Sequence, residues 1–185
     1  MTPQTRTYEQ QQAQHEKRKI SAVCSLWAYN WLFDWIKQKH KSFPYPMPPD
    51  KYFYSNTAHR EYLSMFIESV IVFLLREYGC DPVKAKDKGR SIDKSIQFTD
   101  VIGRTRTIGG RVFVRDKDVK KGRADIKCYI GRGKKRGMYN FEVKALKDRQ
   151  SEDQKIEQQR AEVNGEHYVI IHTVDEFLRF YEEMI

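Results

Sequence analysis

The stretch from Gly122 to Lys144 leaves this chain few ways to fold. GRADIKCYI and MYNFEVK are two strand-like runs joined by GRGKKRG, a short glycine-bearing segment whose length and composition suit an antiparallel hairpin. In YNFEVK, alternation sends Tyr139, Phe141 and Val143 to one face and Asn140, Glu142 and Lys144 to the other. The first face is apolar and must lie on a core. Folding the chain about Lys134 brings Asp125 opposite Val143, between Glu142 and Lys144, with the register open by one residue. Strict pairing would place Asp125 on the apolar side, so a bulge or bend near Gly122 to Asp125 is expected to turn it in. The two carboxylates can then end up adjacent.

The rest of the chain surrounds this hairpin with helices. Residues 1 to 20 are polar and Gln-rich, and Ser21 to Lys41 is aromatic and amphipathic, with Trp27, Trp31, Trp35 and Ile36. Four prolines in FPYPMPP then stop regular structure. A helix is predicted from about His59 to Tyr78, closed by Gly79 and apolar around most of its surface, as burial against a sheet requires. Strand-like stretches at Thr99 to Ile102 and Arg111 to Arg115 precede Asp125 to Ile130 and Met138 to Lys144. Ser151, with Gln154 three residues on, opens a helix that Asn164-Gly165 closes. A strand at His167 to His172 and a final helix from about Val174, capped by Thr173 with Glu176, complete the order. Helix, several strands, helix, strand, helix is an α/β domain with a mixed sheet. At 185 residues one domain is expected, residues 56–185, preceded by a helical extension and Pro-rich connector over 1–55.

Charge narrows the choice of partner. The net charge of +9 is concentrated between Lys84 and Lys144, whereas the chain after Lys144 is net acidic. A segregated basic zone with glycines between the cations favours nucleic acid over a merely solubilising surface, because phosphate contacts release counterions. No run approaches the ~20 apolar residues that span a bilayer. The three cysteines are scattered, without metal-ligand spacing or a disulfide framework. A cytoplasmic setting and no membrane partner are therefore expected.

Two carboxylates converging beside a lysine make chemical sense around a hard divalent cation. Mg²⁺ takes oxygen ligands and keeps several waters, so Asp125, Glu142 and the backbone carbonyl of Val143 could form half a shell, with Mn²⁺ able to substitute. Lys144 could orient an attacking water or stabilise charge on a phosphate. The plainer alternative is a surface hairpin with an ordinary salt bridge, worth ~0–1 kcal/mol.

At these residues the chain resembles the PD-(D/E)XK nucleases, GRADI followed by FEVK standing for their signature with Ala124 in the usual proline position. More narrowly, about Val101 to His172 resembles VRR-NUC domains: IGRTRTIGGRVFVR, GRADI, FEVK, SEDQ and NGEHYVII stand in that family's order. The resemblance implies a restriction-endonuclease-like core, αβββαβ, with an N-terminal helical extension and a C-terminal helix. It implies Mg²⁺-dependent hydrolysis of DNA with Asp125, Glu142 and Lys144 at the centre, Gln154 assisting the water, and Glu68 supporting the metal. Glu61 is held in reserve for Glu68. Arg104, Arg106, Arg111, Lys134, Lys135 and Arg136 are the candidate phosphate contacts. Family company further suggests a homodimer cutting Holliday junctions or other branched DNA, RNA not being excluded, in a bacterial or phage-infected cell. The helix at Ser21 to Lys41 is a candidate dimer interface unless its apolar face belongs to the core. Residues 1 to 55 have no counterpart in the family. The rival reading is a nucleic-acid-binding module that has kept the fold but not the catalysis. His167 and His172 fall on opposite faces of one strand and make no metal pair.

Overall fold

The computed structural model describes residues 19–40, 47–54, 62–85, 89–115 and 122–185. A 3₁₀ turn at Lys19–Ala22 leads to α1, Leu26–Lys39, whose first turn is capped by the Ser25 hydroxyl accepting from Ala28 N. The helix thus begins after, not at, Ser21. In the Pro-rich region Pro49 opens a short helix, α2, Pro49–Phe53, where regular structure was not expected. A proline at the first helical position lacks only an N–H that would go unpaired there. Phe43 to Pro46 and the expected helix start at His59 lie outside the described residues. Helix α3, Tyr62–Glu77, is the long apolar one.

Strand β1, Val83–Lys84, is too short to carry any sequence pattern. The described residues continue with β2, Gly89–Asp93, β3, Ile96–Thr99, β4, Thr105–Ile108, and β5, Arg111–Arg115. The chain then runs through β6, Ile126–Ile130, β7, Gly137–Val143, α4, Glu152–Val163, β8, His167–Ile171, and α5, Val174–Met184. The central sheet is four-stranded in the order β1-β6-β7-β8. Its first two pairings are antiparallel, and β7 with β8 is parallel. A parallel pair needs a crossover, and α4 supplies it. The protein is therefore mixed α/β, with helices before and after the sheet.

One face of the sheet is apolar. Ile126, Cys128, Ile130, Tyr139, Phe141, Val143 and Ile171 pack there with α3 (Phe66, Ile67, Val70, Ile71) and α5 (Val174, Phe177, Leu178). The segment expected as an extension joins the same core through Ile20, Val23, Ala28, Tyr29, Leu32 and Phe33. The apolar face of α1 is thus covered within the chain, and Trp35 sits edge-on to Phe73, 4.7 Å between ring centres. On the other face β6 presents Lys127 and Tyr129 to solvent, and α4 packs beside β8. No described helix is long and apolar enough to cross a membrane.

The chain divides into two compact units, the second spanning Lys86–Lys121. Its described part is a hairpin arm. The β2–β5 and β3–β4 pairings share one register, Gly89 opposite Arg115 and Thr99 opposite Thr105, so the four strands form one two-stranded ribbon. The tip lies at Asp100, whose carboxylate accepts from Ile102 N and Arg104 N, both through Oδ1. The strand expected at Thr99 to Ile102 is therefore displaced to Ile96–Thr99, because this Asx-type turn consumes the following residues. In the first unit, Ala85 N donates to Asp125 O at 2.8 Å beside the β1–β6 pairing, so both ends of the insertion are pinned. Replacing residues 86–121 by a short Gly/Ser linker is expected to leave the first unit folded, with a melting shift below about 5 °C. Loss of its cooperative thermal transition would show that the arm is part of the same folding unit.

Candidate active site

The register of β6 and β7 decides where Asp125 lies. Ile126 pairs with Phe141 and Lys127 with Asn140, so continuing the register sets Asp125 across from Glu142. The expected partner, Val143, is off by one residue. The true register places both carboxylates on the polar face without any bulge, since directly opposed residues share a face. The ladder stops at Ile126, and the Asp125 side chain takes over from the backbone: its Oδ2 accepts from Val143 N at 2.8 Å. Within an extended strand a residue's N–H and C=O leave on the same side, so the Val143 carbonyl also points toward Asp125.

Glu142 is 1 % exposed and Lys144 7 %. Lys144 Nζ lies 2.9 Å from Glu142 Oε1 and 3.3 Å from Asp148 Oδ2. Gln154 joins them from the first turn of α4. Its Oε1 accepts from Ser151 N at 2.9 Å, completing the capping box, while its Nε2 donates to Glu142 Oε1. One amide therefore closes the helix end and holds the carboxylate. Tyr168, on β8, donates its hydroxyl to Glu142 Oε2 at 3.3 Å.

These surroundings shift the titrations. Burial, then the charge of Glu142, raises Asp125 from 3.8 to about 7, against the opposing hydrogen bond from Val143 N; Glu68 raises it further and Lys144 lowers it. Burial also raises Glu142, partly offset by its bond to Lys144. Burial pulls Lys144 down, but its hydrogen bond to Glu142 and the charges of Glu142 and Asp148 outweigh that and leave it raised. The site is short of positive charge: the buried Glu142 and the half-buried Asp125 meet one lysine, which also serves Asp148.

Comparison with protein families, curated proteins and solved structures returns no match.

The donor set suits a hard cation of Mg²⁺ type. No group of three or more His, Cys, Asp or Glu side chains that could hold a metal occurs among the described residues. Mg²⁺, however, is commonly held by one or two carboxylates with water completing the octahedron. Asp125 and Glu142 supply those carboxylates, and the Val143 carbonyl lies on the same side. Glu68 sits on α3 close enough to raise Asp125, yet its own carboxylate is paired with Lys84 at 2.6 Å. That pairing answers the need for a partner that its apolar helix neighbours create, and it was not visible in sequence because Lys84 lies in the two-residue strand β1. Glu61 lies outside the described residues.

The candidate phosphate contacts are spread over both units. Arg104, Arg106 and Arg111 are exposed on the arm, where Arg106 is 3.0 Å from Asp100. Lys134, Lys135 and Arg136 lie in the β6–β7 loop of the other unit, where Lys135 is 2.9 Å from Glu183. Of the histidines, His172 bonds Glu176 and His167 stacks on Tyr139 at 4.5 Å. Sequence reading missed Tyr168 and Asp148. Tyr168 reaches Glu142 only through the parallel β7–β8 register, which no local pattern announces.

Proposed function

We propose that the protein is a Mg²⁺-dependent phosphodiesterase acting on DNA, with a restriction-endonuclease-like core of the VRR-NUC kind. The observation that carries this reading is the meeting of Asp125, Glu142 and Lys144 at the ends of β6 and β7, with Gln154 bonded to Glu142. A plain surface salt bridge has no need of a buried Glu142 with a second, half-buried carboxylate beside it, whose desolvation is costly. The ion's chemistry there is to neutralise phosphate charge and make a bound water acidic. Asp125 and Glu142 bind; the Val143 N–H holds Asp125 in place, and Gln154 and Tyr168 hold Glu142. Lys144, fixed between Glu142 and Asp148, offers its remaining proton to a phosphate oxygen or to the attacking water.

The basic residues of the arm and of the β6–β7 loop supply phosphate contacts, and branched DNA such as a four-way junction is the proposed substrate, cut by a homodimer. Labelled junction, flap, duplex and single-strand DNA should be tested with Mg²⁺, Mn²⁺ and EDTA. Cleavage is expected with either metal, to stop in EDTA, and to be absent from Asp125→Ala and Glu142→Ala. Metal-indifferent binding without cutting would favour the non-catalytic binding module instead.

A further inference from the structure

At the far end of β7 from the carboxylates, the first unit contains a cleft of about 620 Å³ that the chemistry above leaves unused. Its size falls within the range of small-molecule sites. Lys134 and Arg136 line it together with Glu166, His167, Tyr168 and Phe180.

Each wall has a defined character. His167 lies flat on Tyr139, ring centres 4.5 Å apart and planes 23° apart, and Tyr139 meets Phe180 edge-on at 5.4 Å. The ring of His167 can come this close to the loop because residue 137 is glycine: a Cβ there would meet the imidazole at 3.0 Å. The result is an aromatic platform at the sheet edge, its imidazole exposed.

The basic part is held rather than loose. Arg132 bonds the Tyr78 carbonyl, and its guanidinium lies over the Tyr78 ring at 4.4 Å. Lys135 is committed to Glu183 at 2.9 Å and lies over Phe180 at 5.6 Å. These contacts anchor the loop and leave Lys134 and Arg136, which form no ion pair among the described residues. Glu166, also in the lining, receives Lys127 at 2.9 Å on both oxygens and the Asn140 amide at 2.8 Å. A carboxylate there turns a phosphate away, toward the cations, while its oxygens can accept from a base amino group.

An aromatic platform in one cleft with unpaired cations and a carboxylate acceptor has the chemistry to receive a nucleotide. We propose that this cleft binds one unpaired nucleotide of a nucleic-acid strand, its base on the His167–Tyr139 platform and its phosphate at Lys134 and Arg136. Tyr168 also lines the cleft, and its hydroxyl bonds Glu142 on the polar face of the sheet. Tyr139 and Glu142 stand roughly 10 Å apart along the strand and on opposite faces of the sheet, so the proposed nucleotide site is separate from the carboxylates. This rests on the proposed function in taking nucleic acid as the ligand, but not on hydrolysis.

The test is binding by the full chain in EDTA. A short labelled single strand and a blunt duplex of the same sequence are compared by fluorescence anisotropy, with deoxyadenosine monophosphate and inorganic phosphate as competitors. The single strand is expected to bind more tightly than the duplex, and the mononucleotide to compete better than phosphate. His167→Ala should weaken single-strand binding by about 10-fold, the scale of one base–aromatic stack, whereas His167→Phe should retain it. Arg136→Glu, at an exposed position, should weaken it and flatten its salt dependence, which keeps the test decisive should His167→Ala lower the melting temperature. Equal binding of strand and duplex, unchanged by His167→Ala, overturns the proposal, as does phosphate competing as well as the mononucleotide. Failure to cut any DNA with Mg²⁺ refutes hydrolysis alone, and strand binding in EDTA that does not depend on His167 refutes the cleft alone.

Discussion

Asp125→Asn is expected to make the metal-free protein more stable above neutral pH while removing its Mg²⁺-dependent cleavage, by on the order of 10³-fold or more. The stability gain follows from the raised proton affinity of Asp125, about 7 in the folded protein against 3.8 ordinarily. Below about pH 4 the group is protonated in both folded and unfolded chains, and its full contribution is present. As pH rises toward 7 the unfolded chain releases the proton first, so stability declines, and above about pH 7 the contribution is lost. That difference corresponds to about 4 kcal/mol, and local relaxation reduces it to about 2–4 kcal/mol.

Asparagine carries no charge at any of these pH values. Its Oδ1 can still accept from Val143 N, and its amide can donate to Glu142. Denaturant unfolding in EDTA at about pH 4 and pH 8 checks this: the variant should gain on the wild type at the higher pH and lie close to it at the lower. Adding Mg²⁺ should stabilise the wild type and not the variant. If the variant proves no more stable at about pH 8, Asp125 is not under charge strain and the cation-site reading loses its support. A substitution that stabilises the fold while stopping the chemistry is the behaviour of a functional position, not of a structural salt bridge.

Gly122→Ala should be the most damaging of the glycine substitutions in the first unit. Gly122 has φ +75°, and a Cβ there would lie 2.2 Å from Asp153 O and 2.8 Å from Gln154 N. Both atoms belong to the first-turn backbone of α4, which cannot swing aside as a side chain can. Gly165 has nearly the same φ, +74°, but nothing within 4 Å of its Cβ position. Gly165→Ala therefore isolates the backbone cost, about 1–2 kcal/mol. Gly122→Ala adds the clash, for a total of about 3–4 kcal/mol. It also pushes α4, and with it Gln154, away from Glu142. Cleavage by the variant should fall by about 10- to 100-fold even where it remains folded. Equal destabilisation by the two substitutions, with cleavage intact, would mean that the approach of Gly122 to α4 is immaterial.

Much of this site could be read from sequence because its parts are local. The alternation in YNFEVK set Glu142 and Lys144 on the polar face, and Ser151 with Gln154 marked the start of α4. The Asp125 register could not be settled that way. Strand β7 begins at Gly137, one residue earlier than its side chains suggest, and a one-residue slip exchanges the faces. The pairing of Ile130 with Gly137 sets it, one residue away from a fold about Lys134. Lys84 as partner of Glu68 and Tyr168 as partner of Glu142 are non-local. The arm shows the same limit: the stretch at Arg111 to Arg115 was legible, but the one expected at Thr99 to Ile102 is displaced to β3. The pairing of β5 with β2 and of β3 with β4 depends on a turn built by the Asp100 side chain.

An early and a late segment of the chain are stitched together. Val174 N donates to Val23 O at 2.8 Å, Ser25 N donates to Asp175 Oδ2 at 2.9 Å, and the Ser25 hydroxyl bonds the same carboxylate. Mechanically this makes a clasp. Peeling α5 off the sheet strips Ser25 of its partner ahead of α1, and peeling α1 strips the amide at the start of α5. Neither helix can fray past this point alone, so an opening that begins at one must carry the other with it. The strands bearing Asp125 and Glu142 lie between the two ends of that clasp in sequence, shielded from unravelling at either side.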